Sequence, residues 1–139
     1  MTRRGDNGPD RGAVAVEMAL VLPILLLVVF GVVDFGRMLN TQIQLTQAAR
    51  EGARWAALGQ TSPSPTVRAQ NAAPGLTGPA PSISVTACPA NPAVTDNATV
   101  TASYTFNFVT PLGAISQLLG GSSYGTMNLS SKAVFRCGG

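Results

Sequence analysis

The first feature of the chain is a long aliphatic stretch with no polar periodicity. Residues 13–33 read AVAVEMALVLPILLLVVFGVV, with Glu17 as the charged residue among them. A helix of this length is roughly 31 Å long, which matches the hydrocarbon core of a bilayer. The remaining residues are too few to bury a helix that is apolar on every face. The pattern therefore predicts a transmembrane helix over residues 13–33.

A cleaved secretory signal is the alternative for this segment. Such a signal has an apolar region of about 7–15 residues, followed soon by a small-x-small cleavage site. Here the apolar run is longer, and Asp34, Phe35, Gly36 and Arg37 follow it instead of small residues. These features favour a membrane span.

The pattern becomes amphipathic in residues 34–58, which contain no proline and are followed by Gly59, a residue typical of helix ends. We therefore expect one continuous helix from Ala13 to Leu58. Its far part carries two rows of small residues, which either let another backbone approach closely or reflect the helix propensity of alanine. The rows are Ala48, Gly52 and Ala56, and Ala49, Ala53 and Ala57.

Prolines and glycines fill residues 59–82, which predicts an extended, partly mobile linker. Apolar and polar residues then alternate in three segments, 83–87, 98–109 and 127–135, as they do in half-buried strands. Residues 111–119 suggest a short helical turn between the last two. Residues 83–139 are thus expected to form a small antiparallel three-stranded head, covered by the outer half of the helix. The predicted fold class is α+β.

The composition excludes several functions. Charged residues make up 11% of the chain, histidine is absent, and the six carboxylates are scattered singly. This leaves no general base for a catalytic triad and no ligand set for zinc. The net charge is +3, without a basic run or a stacking platform for nucleic acid. We expect no enzyme activity, no cofactor, no metal and no nucleic-acid partner.

Charges and cysteines bear on the orientation in the membrane. Arg3, Arg4 and Arg11 precede the span, which favours a cytoplasmic N-terminus. Cys88 and Cys137 both follow it. If they form a disulfide, the head lies in an oxidising compartment, and the bridge closes a loop worth about 4 kcal/mol in the chain-entropy model. Two unrelated buried thiols are the alternative.

Several motifs at fixed positions resemble a known family. Arg11-Gly12-Ala13 with Glu17 is similar to the leader of type IV pilin-like proteins, which a prepilin peptidase cuts after the glycine. With the motifs that follow, the segment 11–58 resembles the TadE-like family, minor pilins or pseudopilins of the tight-adherence (Tad/Flp) pilus. Met18 departs from the pattern, because a tyrosine or phenylalanine often follows the glutamate. The further motifs are Leu22-Pro23, Phe30-Gly31, Asp34-Phe35-Gly36-Arg37 and Ala48-Ala49-Arg50-Glu51-Gly52-Ala53-Arg54.

The resemblance implies roles for individual residues. Residues 1–12 would be a cytoplasmic leader, and cleavage between Gly12 and Ala13 would create an α-amine. Glu17 of a neighbouring subunit would pair with that amine during assembly; alternatively, it reaches the headgroups or is protonated. Pro23 would let the helix melt locally in a filament, or it is a tolerated membrane kink.

Two charged groups further along the helix also have alternative interpretations. Asp34 and Arg37 are three positions apart, and we expect them to form a structural ion pair. The residues Arg50, Glu51, Gly52 and Arg54 would be a docking face in the family, or they are simply a solvated helix face.

The resemblance implies a structural subunit of the inner membrane that takes part in pilus initiation, tip or scaffold function, for adhesion. It would be a single-pass protein with an exported head. Its partners would be the lipid bilayer, other pilin and pseudopilin subunits, the prepilin peptidase and the Tad inner-membrane assembly platform. The alternatives are a membrane-anchored extracytoplasmic binding module and a type II secretion pseudopilin.

Overall fold

The computed structural model describes residues 10–76, 78–110, 120 and 125–138. Within them, a long N-terminal apolar helix carries a small antiparallel sheet, which confirms the predicted α+β class. The turn expected at residues 111–119 lies outside the described residues. The elements are α1 (Asp10–Ala57), α2 (Pro65–Asn71), β1 (Ser82–Thr86), β2 (Asn97–Asn107) and β3 (Thr126–Arg136).

Helix α1 is continuous over 48 residues, or about 72 Å, and Pro23 lies inside it. It begins at Asp10, three residues before the expected start, so Gly12 is helical. Its far end is closed by backbone hydrogen bonds from Gly59 to Ala56 (3.2 Å) and from Gln60 to Trp55 (3.3 Å). Gly59 has φ +66, which a glycine adopts without steric cost, so the sequence signal for the helix end is correct.

The sheet has the order β1-β2-β3 with both pairs antiparallel. Val100 in the centre faces Val85 on one side and Ala133 on the other. Alternate residues of β2 are buried, as the period-two pattern predicts, and they face α1. The buried residues of β2 are Ala98, Val100, Ala102, Tyr104 and Phe106.

The outer half of α1 covers this apolar face. Leu45, Ala48, Ala49 and Ala53 are fully buried and belong to the same core as Val100. Strand β2 runs in the opposite direction to α1, because Ala98 at its start packs with Ala56 near the end of α1. The chain just after β2 contacts Asp34. The head therefore lies along α1 from Asp34 to Ala57.

The expectation of an extended linker is wrong for residues 65–71, which form α2. Pro65 occupies a first-turn position, where its fixed φ and missing N–H favour a helix. The Ser64 hydroxyl accepts a hydrogen bond from the Val67 N–H at 3.3 Å and caps this helix. Ala69 is fully buried against α1, so tertiary packing stabilises a helix that is too short to persist alone.

Cys88 and Cys137 are joined by a disulfide, with Cα atoms 5.9 Å apart. They follow β1 and β3, which lie on either side of β2 and thus about 10 Å from each other. The bridge closes this gap next to Ala98, the start of β2. The Cys137 N–H donates to the Asp96 carbonyl at 2.9 Å, and Cys88 packs beside Ala57. The disulfide thus joins both edge strands near the end of α1.

Candidate functional site

The inner half of α1 is bare. From residue 12 to residue 33 every position is exposed except the half-buried Gly31. The helix is long and apolar enough to cross a membrane, and none of its apolar stretch is buried against the described chain. A soluble core helix would be mostly buried, so the exposure of this stretch supports a membrane span in addition to its length and composition. Among the described residues, this half of the helix has no apolar partner.

The residues with predicted assembly roles lie on this bare half. A Cβ added at Gly12 would meet nothing within 4 Å. Ala13 follows it, and Glu17 lies one turn further, about 6 Å along the axis. The side chains of Glu17 and Pro23 are exposed, and Glu17 forms no ion pair within the described residues. Cleavage at Gly12 and pairing of Glu17 stay predictions.

A buried carboxylate marks the point where the bare half ends. Asp34 is 2% exposed. Arg37 donates to it at 3.2 Å, so the expected ion pair is present. The backbone N–H groups of Val109 and Thr110 also donate to its two oxygens, at 3.3 and 3.1 Å. Asp34 therefore holds the chain after β2 against α1, and we name Asp34, Arg37, Val109 and Thr110 the boundary joint.

Opposing effects act on the pKa of Asp34. Burial acts to raise it, but hydrogen bonds from Thr110, Val109 and Arg37 together outweigh burial and lower it from its ordinary value of 3.8. Arg37 in addition lies over the ring of Phe106, 5.4 Å from its centroid. Sequence reasoning missed the two backbone donors, because they lie about 75 positions away and any residue type supplies an N–H.

The predicted docking face is divided by the fold. Arg50 and Arg54 are exposed, and Glu51 is partly exposed between them. Glu51 pairs with Arg68 of α2 at 2.8 Å and more loosely with Arg54 at 3.9 Å. Arg50 has no ion-pair partner among the described side chains. These residues border an open cavity of about 500 Å³ that Phe135 also lines. We name Arg50, Arg54 and Arg68 the cationic rim.

Gly52 does not belong to an exposed docking face. A Cβ added there would lie 2.8 Å from the Ala69 Cβ and 3.3 Å from both the Pro65 carbonyl and Val100. The small-residue rows therefore allow other backbone segments to approach α1 closely. The segments that do so are α2 and the sheet of the same chain. Helix periodicity alone could not show this, because it does not identify which element covers a face.

Two clusters of charged side chains lie among the described residues. Within residues 10–76, 78–110, 120 and 125–138, no three His, Cys, Asp or Glu residues lie close enough to hold a metal ion together. The boundary joint consists of the Arg37–Asp34 salt bridge and two backbone N–H donors. In the cationic rim, Arg68 and Arg54 pair with Glu51.

The small head packs on one half of an apolar helix and leaves the other half exposed. This arrangement defines a class of protein suited to anchoring in a membrane by an N-terminal helix. Residues 12–54 match the model of the TadE-like protein family, which confirms the resemblance over that segment. This match indicates a protein associated with a Tad pilus. It includes the bare half, Asp34, Arg37, Arg50 and Arg54, whereas the sheet lies outside it. No curated protein and no solved structure matches the chain.

Proposed function

We propose that the protein is a structural minor pilin or pseudopilin of a Tad/Flp-type pilus. Residues 13–33 insert in the inner membrane, and the subunit takes part in initiating, capping or scaffolding the pilus for adhesion. One observation carries the proposal: the TadE-like match falls on the helix whose apolar half touches nothing else in the described chain. The protein acts by assembly, without a cofactor and without catalysing a reaction.

The first step is removal of the leader, residues 1–12, by a prepilin peptidase on the cytoplasmic side. The bond between Gly12 and Ala13 lies in the first turn of α1, where helix ends fray. Cleavage leaves an α-amine on Ala13. Glu17 of a neighbouring subunit then pairs with that amine, since both groups are costly in hydrocarbon when unpaired. Exposure of Glu17 supports this role.

The second step is docking on partner proteins above the membrane. Three arginines and one glutamate around the open cavity leave an excess of positive charge there. Arginine suits carboxylates because its fork of donors binds both oxygens. The cationic rim therefore binds acidic side chains of other pilin subunits or of the assembly platform. Arg50 is the strongest candidate, because it has no ion pair within the described chain.

The N-terminus of the membrane-extracted protein tests the pathway. Intact mass and N-terminal sequencing, with and without a co-expressed prepilin peptidase, should give a start at Ala13 that depends on the peptidase. Gly12→Leu should block cleavage, and Gly31→Leu is the matched control, because neither glycine has a close neighbour. A chain in the native host that still starts near Met1 would contradict the pathway and favour a membrane-anchored binding module.

Glu17→Ala tests the assembly step separately. The variant should insert in the membrane normally and disappear from complexes purified with other pilus components. Met18→Ala is the control, because Met18 is a neighbouring exposed side chain without charge. Co-purification of Glu17→Ala at the wild-type level would show that assembly does not require the Glu17 carboxylate.

A further inference from the structure

Exposed apolar side chains lie at one end of the head. Val109, directly after β2, is 74% exposed, and Met127, at the start of β3, is 46% exposed. Phe35 of α1 is 57% exposed. The register pairs Met127 with Phe106, so the two strands bring Met127 and Val109 to the same end of the sheet. We name Phe35, Val109 and Met127 the proximal cluster.

The boundary joint determines the height of this cluster above the bilayer. Asp34 is the first residue after the apolar span, and its carboxylate binds the N–H of Val109 directly. Met127 pairs with Phe106, and the Arg37 guanidinium lies over the Phe106 ring. Arg37 is three residues beyond Asp34 and thus roughly 5 Å further from the span along α1. The headgroup layer on each side of a bilayer is roughly 5–8 Å thick. The cluster therefore lies within that layer when residues 13–33 span the membrane.

We propose that this end of the head is a second membrane contact, with the proximal cluster seated in the headgroup layer of the leaflet at the outer end of the span. Apolar side chains at this depth are removed from water and contact the boundary between headgroups and acyl chains, as they do in interfacial helices. Arg37, which is 39% exposed in its side chain, lies at the same height and suits lipid phosphates. The bilayer thus fixes the head as well as α1. This contact requires the span but no pilus partner.

The opposite end of the head provides a matched comparison. Val94 is 82% exposed, more than Val109, and precedes β2. The 11 residues of β2 separate the two ends by about 35 Å. If exposure alone decided whether a side chain contacts lipid, Val94 and Val109 would contact it equally. If the bilayer covers the proximal cluster, only Val109 is shielded.

Quenching by brominated lipids distinguishes these cases in the full-length protein. Val109→Trp, Met127→Trp, Val94→Trp and Leu27→Trp are each reconstituted in vesicles whose phosphatidylcholine is brominated near the carbonyl end of the acyl chains. Native Trp55 lies far above the membrane on α1 and serves as the internal unquenched reference. An intact Cys88–Cys137 bridge, checked by mass, shows that each variant has folded.

We expect the indole added at residue 27 to be quenched, which reports insertion of the span. The indoles added at residues 109 and 127 should lose most of their emission, whereas the one at residue 94 should lose none. Quenching at residue 27 without quenching at residue 109 would overturn the proposal and leave the membrane anchor intact. Absence of quenching at residue 27 would overturn both.

Two other occupants of the surface give different results. A second copy of the chain would shield the indole at residue 109 from aqueous iodide at high protein density, without quenching by brominated lipid. A head that lies flat on the membrane would show equal quenching at residues 94 and 109. Either result would overturn the proposal.

Discussion

The two halves of α1 differ in which residues are exposed. In the bare half, large aliphatic side chains such as Leu20 and Ile24 are 68% and 67% exposed. In the packed half, residues 34–57, four of the five buried apolar residues are alanine, and Gly52 lies against α2. Apart from Leu45, the buried apolar residues of the packed half are small, whereas the bare half exposes many large apolar side chains.

The physical reason lies in the partner of each half. Lipid tails adapt to bulky side chains, so the bare half gains most from a large apolar area. A sheet and a second helix are rigid and approach closely only where side chains are small. The packed half also contributes polar side chains that fix the head: Gln42 donates to the Ser130 carbonyl at 3.1 Å, and Gln44 accepts from the Gly75 N–H at 2.8 Å.

The disulfide gives the largest expected effect. Replacing Cys88 and Cys137 together by serine should lower the free energy of unfolding of the head by about 4 kcal/mol, because the 49-residue loop is no longer closed. Urea unfolding in detergent, followed by Trp55 fluorescence, measures this. Far-UV circular dichroism should still show the bare half of α1 as helix. Unchanged stability would mean that packing alone holds the head on α1.

Truncating one leucine in each half compares them directly. Leu45→Ala should cost about 3 kcal/mol in the unfolding of the head, because Leu45 is fully buried. Leu25→Ala should change the same quantity by less than about 0.5 kcal/mol, since Leu25 is 58% exposed and lies outside the head. Equal losses would show that the bare half also supports the head.

A valine at each of two glycines tests the close approach. Gly52→Val should destabilise the head by about 2 kcal/mol, because even a Cβ there lies 2.8 Å from Ala69. Gly36→Val is the control, since nothing lies within 4 Å of its Cβ position. A Gly52→Val protein as stable as the control would show that α2 can move aside at little cost.

Asp34→Asn should have the smallest effect, about 1 kcal/mol near neutral pH, because the amide oxygen still accepts one backbone N–H. Since the pKa of Asp34 is lower in the folded state than its ordinary 3.8, its ionised form contributes stability above that pH. The contribution is lost as the pH falls below 3.8 through the folded pKa. Unfolding of the wild type between pH 5 and pH 2, compared with Asp34→Asn, measures this. Identical pH profiles would show that Asp34 does not hold the joint as a carboxylate.

The local patterns predicted most of the architecture. Continuous apolarity over residues 13–33, the helix end at Gly59 and the alternation along β2 follow from periodicity and backbone preference, which act within a few residues. The pattern failed at residues 65–71, where many prolines indicated a loop although Pro65 begins α2. There, burial of Ala69 against α1 outweighs a composition that disfavours a helix.

The candidate site was predictable only in part. Asp34 and Arg37 are three positions apart on one helix, so their ion pair follows from spacing. The hydrogen bonds from Val109 and Thr110, the pairing of Glu51 with Arg68 and the burial of Gly52 join residues that are distant in the sequence. No local pattern encodes these contacts.

Hydrophobic patterning and backbone preference were enough to determine a membrane-length helix followed along the chain by three strands of one sheet. Folding in three dimensions then decided which side of α1 the head covers, that α2 occupies the groove at Gly52, and that the chain after β2 binds Asp34 at the edge of the span. The reason is physical: periodicity records that a face is buried, whereas close packing and hydrogen-bond geometry select the partner that buries it.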